Sequence, residues 1–228
     1  MDLSMEANWL AIGENCMPLN ALRRFSLNSP STPFSSARCC IEHVTWLESI
    51  NYKGLLDQEN LISRDSGRGD GKRYVYYSGF QATNLFKHGP SRLLEFAHQN
   101  PFQGSDNAML LKRVDRMLRM RTNNTKKIFF YHHRSSTGYS LESSRALFRG
   151  FNYLSSLYAN SYFLCVTQRL VKSDLGRGVD LKLVKPHICM SVIYSLKQWG
   201  GNPEDFHGIP DDDLLGCLFN GVSSLFQA

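Results

Sequence analysis

No stretch of the 228 residues approaches the ~18 consecutive apolar positions of a membrane-spanning helix. Met1 to Glu6 lacks the basic start and long apolar centre of a secretory signal. These absences predict a cytoplasmic protein without stable membrane insertion, its thiols reduced. The six cysteines (16, 39, 40, 165, 189 and 217) contain no C-x-x-C pair and no zinc-type spacing with histidine, so no metal is expected. Cys39 and Cys40 are adjacent, which disfavours a disulfide between them, and Cys165 and Cys217 lie in apolar runs and read as core. The segment Ser66 to Gly71 has glycines but lacks the Lys-Ser/Thr ending of a phosphate-binding loop. No repeat, no linker and no nucleic-acid motif accompanies the modest net charge of +6, so no nucleic-acid partner is expected.

What is present is ordered and ample. Hydrophobic residues make up 42% of the chain, which excludes wholesale disorder, and the length suits one domain spanning 1–228. Strands are predicted near 9–12, 73–77, 127–131, 161–166 and 181–184, where apolar or β-branched runs are short and bounded by turn residues. Helical patterning occupies 16–25, 41–50, 90–98, 106–120, 141–158, 188–199 and 211–219. Strands separated by helices predict a single-domain α/β fold, with a mostly parallel sheet of about five strands flanked by helices.

In such a sheet ligands bind beyond the carboxyl ends of the strands. Cys16 follows the first strand. Gly13-Glu14-Asn15 turns the chain, and Pro18 fits the first turn of a helix, so Cys16 falls at a helix N-terminus. The unsatisfied N–H groups and dipole there favour a thiolate and can hold an oxyanion. Gly13 permits the tight turn, and Asn15 and Met17 are candidate donors near the sulfur. His133 follows the strand at 127–131 and His187 follows the strand at 181–184, so topology directs imidazoles toward the same rim. His133 is a candidate base, with His187 ranked below it. His43, His88 and His98 read as decoration of helices or loops.

The stretch Leu10-Ala-Ile-Gly-Glu-Asn-Cys16, with Leu22-Arg23-Arg24 and Ser31-Thr-Pro33-Phe34, resembles the papain-like cysteine peptidase family of bacteria. Its members open with a strand, a Gly-x-Asn-Cys turn, a Leu-Arg-Arg helix and a Ser-x-Pro-Phe loop. The resemblance is good over about residues 8–45 and looser through Lys112 to Leu118 and the strand ending at Tyr131. It implies a cysteine-centred activity with Cys16 as nucleophile. Members often follow Pro-Phe with Asp-Trp or Ser-Trp, where this chain has Ser35-Ser36. The opening also resembles capsule-biosynthesis acyltransferases and, more briefly, the Gly-Asp-Ser esterases of flavodoxin-like fold. Those esterases place an Asp and a His close together near the C-terminus. That likeness implies His207 as a second candidate base and Asp205 as its orienting carboxylate.

Three readings follow. The first is a cysteine-dependent hydrolase, papain-like by resemblance, needing no cofactor. The second is an acyltransferase or esterase of polysaccharide biosynthesis, with coenzyme A as donor and its phosphates held by Arg23, Arg24 or the basic helix carrying Lys112, Arg113, Arg116 and Arg119. The third is a binding protein that keeps the frame, with Cys16 a packing residue. The substrate is a small molecule, peptide or saccharide, and the oligomeric state is left open. The basic helix otherwise reads as a solvated face, and Asp211-Asp212-Asp213 as a helix start rather than a metal site.

Overall fold

The computed structural model describes residues 7–65, 72–81, 93–135, 138–197 and 211–226. The chain runs β1 (Ala7–Gly13), α1 (Met17–Arg24), β2 (Ala37–Arg38), α2 (Ile41–Ser49), β3 (Leu61–Asp65), β4 (Arg73–Tyr77), β5 (Leu94–Phe96), α3 (Gly104–Thr122), β6 (Lys126–His132), α4 (Leu141–Leu157), β7 (Ser161–Leu170), β8 (Gly178–Lys185), β9 (Ile188–Ser195) and α5 (Asp212–Leu225). The fold is α/β. A five-stranded sheet in the order β1-β6-β7-β9-β8 is parallel except for β8, which is antiparallel to β9. A second, four-stranded antiparallel sheet has the order β2-β5-β4-β3.

Successive residues of a strand point to opposite faces, and both faces of β1, β6 and most of β7 are buried, while the edge strand β8 is largely exposed. Leu10, Ile12, Phe129, Tyr131 and Phe163 enter one core with α2, α3, α4 and the inner face of the second sheet. Trp9, Ala11, Ile128, Phe130 and Leu164 enter the other with α1 and α5. Phe163 stacks between Phe129 and Phe151, each at 4.9 Å, and Trp9 meets Phe219 edge-on at 5.4 Å. Helices α2 and α4 approach closely at Gly150, where an added Cβ would lie 2.2 Å from Ile41.

Several expectations are corrected. Residues 188–195 form a strand rather than a helix, because Ile188, Val192 and Ile193 pair across a tight hairpin with 178–185. The segment at 181–184 is thereby antiparallel. The strand at 73–77 belongs to the second sheet, and the helix read over 90–98 contains the strand Leu94–Phe96 instead, its first residues lying outside the described ones. Cys217 is exposed, since α5 turns Leu214, Leu215, Leu218, Phe219 and Val222 inward. The glycine-rich segment 66–71 and the end of the helix read to 199 lie outside the described residues. Among the described residues no helix is long and apolar enough to cross a membrane.

Candidate active site

The turn after β1 is set by Gly13. Its φ of +142° lies where side chains rarely fit, and an added Cβ would stand 2.8 Å from the backbone nitrogen of His132. The Glu14 amide continues the contact by donating to the His132 carbonyl at 3.1 Å. Asn15 comes next and is buried. Its Oδ1 accepts from the Met17 amide at 3.1 Å and from His132 Nδ1 at 2.8 Å. Those bonds fix the amide orientation and leave Nδ2 enclosed without a partner. Burial pushes His132 down to about 4, so its ring is neutral and carries its proton on Nδ1.

Cys16 caps α1, with Pro18 in the first turn. Cys16 is only 6% exposed, and Nε2 of His98 lies 3.2 Å from its sulfur. His98 is an exposed residue in the turn after β5, and among the described residues Cys16 is its hydrogen-bond partner. Beside the pair, Arg38 of β2 and Glu95 of β5 sit opposite one another in register. Arg38 Nη1 meets Glu95 Oε1 at 3.0 Å. The next residue after His98, Gln99, is buried with Oε1 unpartnered.

Burial pushes the Cys16 thiol up, Arg38 pulls it down and Glu95 pushes it up further, with a net rise. Burial and Arg38 hold His98 below the usual imidazole range, against Glu95. The resting pair is therefore a neutral thiol donating to a neutral imidazole, not the thiolate expected from the helix end. Burial is the largest cause, since enclosure of the thiol penalises its anion more than Arg38 favours it.

A second thiol–imidazole contact is of another kind. Cys40 Sγ lies 3.1 Å from Nδ1 of His43, and the Cys40 amide donates to the same nitrogen at 3.3 Å. The pair closes the start of α2, three residues apart. His43 is buried and pushed down to about 4 by desolvation, so it serves as a cap.

Of the residues singled out in the sequence, Gly13, Asn15, Cys16 and Met17 come together. His133 does not join them through a bond to the sulfur. Its Nδ1 donates to Glu14 Oε1 at 2.9 Å, and its ring stacks on Tyr139. Glu14 also accepts from the Tyr131 hydroxyl and the Arg134 amide; burial raises its carboxyl, but these bonds outweigh it and the net shift is down. His187 lies at the start of β9, where its carbonyl accepts from Phe163, so it sits at the amino edge of the parallel strands and not on the Cys16 rim. His207 and Asp205 lie outside the described residues, as does His88. Arg24 is bound to Asp212, with Nε at 2.7 Å, while Arg23 is exposed. Asp211 and Asp213 both accept from Arg177, at 2.8 and 2.9 Å, and among the described residues no cluster of side chains could hold a metal.

His98, Arg38 and Glu95 are the residues that sequence reading missed. The chain matches no protein-family model, no curated protein and no solved structure, so the resemblance of its opening rests on the motif residues themselves.

Proposed function

We propose that the chain is a cysteine-dependent acyl-transfer enzyme with Cys16 as nucleophile and His98 as its base. The 3.2 Å contact between Cys16 Sγ and His98 Nε2 carries this reading. A neutral imidazole with a low pKa is an acceptor ready for the thiol proton at neutral pH. As Sγ attacks a carbonyl carbon, the proton moves to Nε2, the C–S bond forms and the carbonyl electron pair moves to oxygen. The unpartnered Asn15 Nδ2 is the donor available to that oxyanion. Collapse expels the leaving group, which takes the proton from His98 and leaves a thioester on Cys16. Water or an acceptor hydroxyl, deprotonated by His98, then releases the acyl group and restores the thiol.

With water as acceptor the protein is a hydrolase, a papain-like peptidase if the motif resemblance extends to substrate. With a saccharide hydroxyl it is an acyltransferase, and coenzyme A is the fitting donor. The chemistry asks no cofactor of the protein itself, and a cytoplasmic setting would keep its free thiols reduced. The shielding of the sulfur favours a second reading, a binding protein in which Cys16 only packs. Intact mass after reaction with p-nitrophenyl acetate separates the two. The enzyme reading expects a single acetyl group on Cys16 and none in Cys16→Ala. A wild-type chain that stays unmodified, or is acetylated equally in Cys16→Ala, overturns it.

A further inference from the structure

Arg38 engages its carboxylate in a way that Arg24, Arg121 and Arg177 do not. Each of those three turns the edge formed by Nε and Nη2 toward its acid, Asp212, Glu48 and Asp211 respectively. At Arg38 both oxygens of Glu95 lie against Nη1 alone, at 3.0 and 3.3 Å. Its Nε and Nη2 have no acceptor among the described residues, and neither nitrogen is enclosed. The edge that carries carboxylates elsewhere in this protein is free here.

Arg38 is tied to the dyad from two sides. The next residue, Cys39, donates its amide to the Gly13 carbonyl at 2.9 Å and its thiol to the same oxygen at 3.5 Å. Those bonds fasten β2 to the turn that carries Cys16. On the other side Arg38 faces Glu95 in the β2–β5 register, and Glu95 stands three residues before His98, whose ring touches the sulfur. Ala37 and Phe96, the neighbouring pair in that register, are buried, so the pleat turns Arg38 and Glu95 to the sheet's other face. The charges act accordingly. After burial, Arg38 and then Glu95 are the groups that shift both the Cys16 thiol and the His98 imidazole.

We infer that Arg38 is a specificity-determining residue whose Nε–Nη2 edge holds a carboxylate of the substrate beside Cys16. Two parallel N–H groups match the two oxygens of a planar carboxylate. Glu95 sets the charge of that ligand. It already offsets one positive charge, so a single negative charge is tolerated where the doubled charge of a phosphate is repelled. By taking Nη1, Glu95 also fixes the guanidinium with its other edge open. The inference rests on the reading of Cys16 as nucleophile, and it narrows the substrate to an acyl compound with a carboxylate near the reacting carbonyl.

Iodoacetate and iodoacetamide test this on the full chain, because both alkylate a thiol by displacement of iodide and they differ in one carboxylate. Peptide mapping reads both rates at Cys16 and at the exposed Cys217, which serves as the internal reference. The ratio of iodoacetate rate to iodoacetamide rate is expected to be at least about tenfold higher at Cys16 than at Cys217. Arg38→Gln should bring the two ratios together, while its effect on thiol ionisation slows both reagents alike and cancels. Arg38→Lys keeps the charge without the fork and should recover only part of the preference. Equal ratios at the two cysteines of the wild type overturn the inference without any variant. So does a preference at Cys16 that survives Arg38→Gln, or one that Arg38→Lys restores in full. A Cys16 that reacts with neither reagent contradicts the nucleophile reading and takes the inference with it, so the two failures are distinguishable.

Discussion

Cys16 Sγ and His98 Nε2 meet at 3.2 Å although 82 residues separate them in the chain. The larger sheet presents the sulfur at the end of β1, and the second sheet delivers the imidazole at the end of β5. The Arg38–Glu95 pair between β2 and β5 ties that second sheet together beside the sulfur. A dyad assembled from two sheets depends on both being in place.

The two charges beside the dyad push in opposite directions, and removing them singly should show it. Glu95→Gln is expected to lower the midpoint at which Cys16 forms thiolate, and Arg38→Gln to raise it, because Glu95 disfavours and Arg38 favours the anion. Thiolate absorbance in the ultraviolet against pH, corrected with Cys16→Ala, reads the midpoint directly. Shifts of the same sign in both variants would contradict the arrangement.

Asn15 can be tested without disturbing what it holds. Asn15→Asp keeps an oxygen for the Met17 amide and for His132 Nδ1 but removes the Nδ2 donor. Acetylation of Cys16 by p-nitrophenyl acetate should slow by about 10²-fold, the scale of a lost oxyanion donor, and the buried carboxylate should also lower the melting temperature. Asn15→Asp acetylated at the wild-type rate would remove Asn15 from the mechanism.

Gly13 carries a backbone cost that no other residue can meet. Gly13→Ala combines a φ of +142° with a 2.8 Å approach to the His132 nitrogen, and should destabilise the fold by about 2 kcal/mol or more in denaturant titration. A neutral result would mean that the turn relaxes freely.

Glu14 links stability to pH. Its carboxyl is held down in the fold, so it contributes stability above its unfolded value of about 4.3 and loses it as the pH falls through the lower folded value. Glu14→Gln should therefore cost about 1–2 kcal/mol at neutral pH, and the gap from wild type should close below about pH 4. Denaturant midpoints for both proteins across that range provide the check. A gap that persists in acid would show that packing, and not the charge, is what the carboxylate supplies.

Much of this arrangement was legible in the sequence. The apolar runs of β1, β6 and β7 are buried on both faces and announce themselves, and Gly13 and Pro18 fix the turn that places Cys16. The site's other half was not legible. Leu94–Phe96 is too short a strand to show a period, and its pairing with Ala37–Arg38 is non-local, so nothing near His98 distinguishes it from a surface histidine. His133 misled for a related reason. It occupies the right rim, but Glu14, two residues before Cys16, captures its ring. The strand at 188–195 is half of a hairpin, and Cys189, Met190 and Ser191 weaken its β signal enough for a helical period to compete. The thiol's protonation was misread because position at a helix end says nothing about how deeply the residue is buried, and burial is what raises it.

The most direct test of the account is the rate of Cys16 acetylation by p-nitrophenyl acetate as a function of pH, in wild type and in His98→Gln. With His98 as base, the wild-type rate should rise to a plateau through a midpoint below the ordinary imidazole value of about 6.5. His98→Gln should lose that limb and run slower by about 10²-fold or more at neutral pH. A wild-type rate that rises only as the thiol itself ionises, and that His98→Gln leaves unchanged, would contradict the dyad.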